Sequence, residues 1–205
     1  IKVETPEKLN VVSQGEKLSD FVKNSNRTVI WRENKPQEEI ILIADHYQVF
    51  TARHQSISLY AYLHDNDKAL AKKYFKATRS YIDLYSKLIA PYPYKKFALV
   101  ENIKQTGYGM PSFTLLGSRI IRFPFILQTS YPHEVLHNWF GNGVYIRPDS
   151  GNWAEGLTTY LADHLLSEQM GKGGQYRLQE LMKYSNYVNE KNDFPLDNFK
   201  GRDSM

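Results

Sequence analysis

The sequence predicts an α+β chain: an antiparallel β piece first, then a mixed unit that carries a pair of helices. Short β-branched and aromatic runs separated by polar breaks fill residues 27–63. An apolar stripe with helical spacing starts just after them. Glycine and proline breaks then divide the C-terminal third into three more helical segments. With 205 residues, 41% hydrophobic and 23% charged, the composition is that of an ordinary globular protein with room for a substantial core. No apolar run approaches the roughly 20 residues of a transmembrane helix. The net charge of +4 is scattered without a basic tract, so nucleic acid is not an expected partner. The absence of cysteine removes disulfides, cysteine-ligated zinc and cysteine nucleophiles, and leaves the compartment unreadable. The chain starts at Ile1 without a signal-like segment and reads as a piece of a longer protein.

Strands are expected at Arg27–Glu33, Glu38–Asp45, Tyr47–Arg53 and Ile57–Leu63, forming one antiparallel sheet, with a turn at Asn34–Gln37 around Pro36. A boundary is expected between residues 63 and 64. Asp65 or Asn66 can cap the following helix, and Asp67 suits its first turn. Leu70, Tyr74, Ala77, Tyr81, Tyr85 and Leu88 form its buried stripe, and Pro91 and Pro93 stop it. Lys95–Glu101 reads as a strand, Gln105–Pro111 as a glycine-bearing loop, and Ser112–Gly117 and Arg119–Phe123 as runs of strand-like length. Helices are expected at roughly Ser130–Phe140, Trp153–Met170 and Gln175–Asn189.

The chemistry concentrates in His133-Glu134-Val135-Leu136-His137. Residues four apart on a helix lie about 40° apart on one face, so two imidazoles can converge on one cation. Glu134, one residue round from His133, stands near that cation without pointing at it and can shuttle a proton. A buried helix with two hydrogen-bonded histidines is the alternative. A catalytic zinc generally takes three protein ligands, and Glu155, in the first turn of the next helix, can be the third. As an alternative, Glu155 only compensates the helix dipole. His164, nine residues on, falls on the opposite side of that helix and is not expected to be a ligand.

These residues resemble a known family. His133 to Asn142 (HEVLHNWFGN) followed by Asn152 to Leu161 (NWAEGLTTYL) is similar to the gluzincin aminopeptidases of the aminopeptidase N type, and Trp139, Phe140, Gly141 and Asn142 extend the likeness beyond the metal motif. The resemblance covers most of the chain. It implies that residues 1–63 are the end of an N-terminal β-domain and residues 64–205 a C-terminally truncated, thermolysin-like catalytic domain with a zinc-binding helix pair. It further implies one Zn²⁺ per chain held by His133, His137 and Glu155, with Glu134 as general base, and a peptide or protein substrate. Gly109 and Met110 match part of the family's substrate-side loop, although a loop that only turns into an edge strand fits them equally.

Three departures stand out. The 17 residues between His137 and Glu155 are one fewer than the family's spacing, which a loop can absorb. Pro111 and Ser112 replace the glutamate and asparagine of the family's G-x-M-E-N loop, whose glutamate binds the substrate's free amine. The family's oxyanion-stabilising tyrosine falls beyond residue 205, so Tyr160, Tyr184 and Tyr187 are expected to be packing residues. The expected activity is zinc-dependent peptide hydrolysis; the alternative is a peptidase fold that binds peptides without cutting them.

Overall fold

The computed structural model of the chain describes residues 1–147 and 149–199. The fold is α+β, as expected. Strands β1 (Lys2–Pro6), β2 (Asn10–Ser13), β3 (Glu16–Lys23), β4 (Asn26–Arg32) and β5 (Leu42–Asp45) form two small sheets, one ordered β1-β4-β3 and the other β2-β5. Every pairing in them is antiparallel. Strands β6 (Gln48–His54), β7 (Ile57–Leu63), β8 (Lys96–Asn102), β9 (Gly107–Met110) and β10 (Phe113–Gly117) form a five-stranded sheet ordered β6-β7-β8-β10-β9.

The four strands expected to make one antiparallel sheet are thus divided among three. β4 pairs with β1 and β3, two strands that the sequence did not announce because few of their side chains are buried. β6 and β7 form a hairpin, but β7–β8 and β8–β10 are parallel. Parallel neighbours need a long crossover, and helix α1 (Lys68–Leu88) supplies it between β7 and β8. The five-stranded sheet takes strands from both sides of residue 64, where the chain changes from strand to helix.

Asp67, rather than Asp65 or Asn66, caps α1: its carboxylate accepts the Leu70 N–H at 2.8 Å. Asp65 instead receives Arg122 at 3.0 Å. Leu70, Tyr74 and Tyr85 of the expected stripe are buried, joined by Phe75, Thr78 and Ile82; Leu88, at the end, is half exposed. This face packs on Leu59, Ala61, Leu63, Phe97, Leu99 and Leu116 of the sheet. Arg119–Phe123 does not continue as a strand. It makes a 3-10 turn at Ile120–Arg122, where Arg122 folds back onto the buried Glu101 carboxylate at 2.6 Å.

Helix α2 (Ser130–Leu136) is shorter than expected, α3 (Trp153–Thr158) and α4 (Leu165–Gln169) are joined by a π-helical stretch at Thr159–His164, and α5 (Gly173–Tyr187) closes the run. Tyr160, Tyr184 and Tyr187 are exposed rather than packed. No helix among the described residues is long and apolar enough to cross a membrane.

Replacing Asp67 with alanine should lower stability by about 1 kcal/mol, the usual worth of an N-cap, whereas Asn66→Ala should change it by less than about 0.5 kcal/mol. Urea denaturation of both variants measures this; equal effects would return the cap to residue 66.

Candidate metal and catalytic site

Tyr131, Pro132, Val135 and Leu136 are the buried residues of α2. The ring of Tyr131 sits edge-on to Tyr74 of α1, with centroids 4.7 Å apart, and this anchorage turns His133, Glu134 and His137 to the opposite face. α2 ends early because the side chain of Asn138 donates to Val135 O at 2.9 Å, taking over a carbonyl that a further turn would use. Gly141, at φ +99°, then reverses the chain. Trp139 pins the turn to the end of α1 by donating its indole N–H to Ala90 O at 2.7 Å.

Asn152 caps α3, its side chain accepting the N–H of Glu155 at 3.3 Å, so Glu155 stands in the first turn as expected. Its two oxygens face the two histidines: Oε2 lies 3.4 Å from His133 Nε2 and Oε1 lies 3.3 Å from His137 Nε2. Ligands about 2.0–2.1 Å from a tetrahedral zinc are separated by about 3.3–3.4 Å. Each Glu155 oxygen stands at that separation from one histidine, and one donor atom from each of the three side chains lies within 4.8 Å of the others, a group compact enough to hold one metal ion. Two imidazoles and one carboxylate are also the wrong donors for magnesium or calcium, which take oxygen shells.

The outer ring nitrogens support the same orientation. His137 Nδ1 is 3.1 Å from Phe140 O. A carbonyl only accepts, so Nδ1 carries a proton, and Nε2 is the nitrogen left to face Glu155 or a metal. His133 Nδ1 is 3.2 Å from Asp163 Oδ2, which fixes that ring in the same way. The sequence reading missed Asp163 for a geometric reason. Eight residues along a regular α-helix leave it about 80° from Glu155. The wider π-helical stretch rotates each residue by less and brings it back towards the Glu155 side. His164 lies away from the site, as expected, stacked on Tyr160 and beside Arg177.

The two glutamates sit in opposed environments. Burial pushes the Glu134 carboxyl above its ordinary range, with His137 and His133 pulling the other way. Hydrogen bonds from His133 and His137 hold Glu155 far below it. In the metal-free protein burial disfavours the charged form of His133, but Asp163 and Glu155 outweigh it and raise the ring to about 10.

Residues 107–110, expected within a loop, are instead the edge strand of the five-stranded sheet. A Cβ on Gly107 would sit 2.8 Å from Glu134 Oε1, and one on Gly109 would sit 2.8 Å from His137 Cβ and 3.0 Å from Glu134 Oε2. Position 109 therefore needs glycine for the strand to lie against α2, whereas a side chain at position 107 would turn the Glu134 carboxylate aside. Gly109 is thus brought to the site together with Gly107, whose place in the Gly-Tyr-Gly alternation was the available signal. Met110 is not: it packs against the cluster of Tyr62, Val100 and Phe113 on the sheet's other face.

No protein-family model and no curated protein matches the sequence. Solved structures do. One is an M1 zinc metallopeptidase from Deinococcus radiodurans, at TM-score 0.72 and 17% identity over 97% of this chain and 46% of that one. A two-domain M1 zinc metallopeptidase bound to L-arginine matches with TM-score 0.72 and 16% identity over 98% of this chain and 46% of that one. The Deinococcus radiodurans peptidase bound to a Tyr-Ser-Ala substrate gives TM-score 0.71 and 16% identity over 97% and 46%. The chain has the fold of these peptidases over less than half their length.

Asp163→Asn keeps the shape of the side chain and removes its charge. It should weaken zinc binding about 10–100-fold, measured by competition with a chromophoric chelator. Unaltered affinity would show that His133 needs no such partner.

Proposed function

We propose that the chain is the metal-bearing part of a zinc metallopeptidase, with a thermolysin-like catalytic unit, that hydrolyses peptide bonds. His133, His137 and Glu155 hold one zinc, and Glu134 is the general base. The observation that carries this reading is the 3.3–3.4 Å spacing of the Glu155 oxygens from the two Nε2 atoms. Zinc supplies a Lewis acid that polarises the scissile carbonyl and makes water acidic enough to attack near neutral pH. Glu134 takes the proton of the attacking water and hands it to the leaving amine, a role suited to a carboxyl whose proton affinity burial has raised. Asp163 and Phe140 O keep both imidazoles in the tautomer that the ligand role needs. A non-catalytic peptide binder is the competing reading, and the presence of the glutamate base beside a complete ligand set speaks against it.

The substrate preference we propose departs from a strict aminopeptidase. Pro111 is buried and carries no carboxylate, and the hydroxyl of Ser112 is turned inward to Lys96 and Gly15. Glu101, the alternative acid, is 1% exposed and already engaged by Arg122 and the His64 N–H. None of Pro111, Ser112 and Glu101 therefore offers a free substrate amine the charge-assisted partner worth roughly 1.5–3 kcal/mol. Cleavage within chains, or of blocked N-termini, follows.

Protein purified without a metal-affinity tag should contain about one zinc per chain by mass spectrometry. Glu134→Gln should keep that zinc while hydrolysis by the full-length protein falls at least ~100-fold. A zinc-loaded wild-type protein that cleaves nothing in a diverse peptide library would leave the binder reading in its place.

For matched peptides with free and acetylated N-termini, kcat/KM should be about equal. A preference of a hundredfold or more for the free amine would restore the aminopeptidase assignment and call for another acidic anchor.

A further inference from the structure

Lys96 opens β8 and is 1% exposed. Among the described residues no carboxylate forms an ion pair with it, and a buried ammonium in that position is expensive. Burial draws its pKa well below the ordinary lysine range, with Glu33 as the opposing influence. Its Nζ donates to Ser112 Oγ at 2.7 Å and Ser112 O at 3.2 Å, and lies 5.1 Å and 5.0 Å from the ring centroids of Trp31 and Phe113.

Ser112 is itself unusual. It holds φ +68°, a left-handed conformation that serine rarely adopts. Its Oγ also accepts the Gly15 N–H at 3.0 Å, and its own N–H donates to Asn138 Oδ1 at 2.9 Å. Asn138 is the residue after His137, and Tyr92 donates to the same oxygen at 3.2 Å. Asn142, four residues on, donates to Gly109 O at 3.0 Å. The edge strand is therefore tied to the end of α2 at two points, and the tie at Ser112 is backed from behind by Lys96.

We propose that Lys96 is a positioning residue for the edge strand β9: through Ser112 it fixes the β9–β10 turn and so the distance from Gly107 and Gly109 to the Glu134 and His137 face. The kinetic consequence rests on the zinc-peptidase reading; the structural one does not. Methionine at this position would match the length of the side chain. Ser112 O would keep its bond from Ala98 N at 3.1 Å, so no buried acceptor would be stranded. A buried amino group without an ion-pair partner would be gone, yet the hydroxyl of Ser112 would lose one of its two donors, keeping only the Gly15 N–H.

The test uses Lys96→Met and Ser112→Ala in the full-length, zinc-loaded protein, with three readouts. The thermal midpoint of Lys96→Met should stay level or rise. Amide exchange across residues 107–110 should quicken by about tenfold or more in both variants, with α2 unchanged. KM for peptides should rise about tenfold with kcat within about threefold. Unchanged exchange and KM in folded Lys96→Met would overturn the proposal. So would a lowered midpoint with protection lost evenly over the sheet, which is the mark of a plain packing role. If Lys96→Met does not fold, the same exchange and KM criteria applied to Ser112→Ala decide. If the wild type cleaves no peptide, the peptidase reading fails, and the exchange measurement still decides the positioning role.

Discussion

The site depends on how closely one edge strand approaches one short helix. His137 is in contact distance of β9 because position 109 lacks a Cβ, and the Glu134 carboxylate lies where a Cβ at position 107 would be. A side chain at position 109 would push the strand off His137, and one at position 107 would displace the carboxylate of Glu134. That single constraint orders much else. It requires α2 to be anchored from behind, which Tyr131, Val135 and Leu136 accomplish against α1 and the sheet. It requires the strand to be held in return, which Asn138 and Asn142 accomplish through Ser112 N and Gly109 O. The polar letters that follow the histidine motif thus have a mechanical role distinct from metal binding, and Trp139 adds a third tie to the end of α1.

Within that frame the two glutamates are separated by environment alone. Glu155 faces two ring nitrogens, which favour its ionised form. Glu134 lies against glycine backbone where burial favours its neutral form. Two carboxyls with proton affinities driven apart are what a site needs if one is to hold a cation and the other to carry a proton. Asp163 completes the division by facing the outer nitrogen of His133, so that the three acids stand in three different environments within one small volume.

What the sequence made legible was local. The two histidines share a face by the α-helical repeat, and Glu155 stands in a first turn capped by Asn152; both facts follow from a few adjacent residues. Asp163 was not legible, because it reaches His133 only through a π-helical stretch, and nothing in the run Thr159–His164 distinguishes that from an ordinary helix. The edge strand was hidden by its own glycines, which read as a loop yet are what admits the strand to the site. β1 and β3 were hidden by their largely exposed side chains. The division of the early strands among three sheets was also out of reach, since strand order depends on pairings distant in sequence.

The same distance in sequence explains why the N-terminal strands matter to a site they do not touch. Gly15, at φ +79°, follows β2, and a Cβ there would lie 2.2 Å from Arg32 O; the tight turn this permits presents the Gly15 N–H to Ser112. Trp31 of β4 lends its ring to Lys96. The first contact is made by Ser112 itself, on the turn between the edge strand and β10, and the second by the lysine that donates to Ser112. The early β piece therefore supplies part of the wall that holds this turn, and through Asn138 the wall is continuous with the helix bearing both histidines. Strands that carry no candidate ligand are in this way part of the geometry on which the candidate ligands rely.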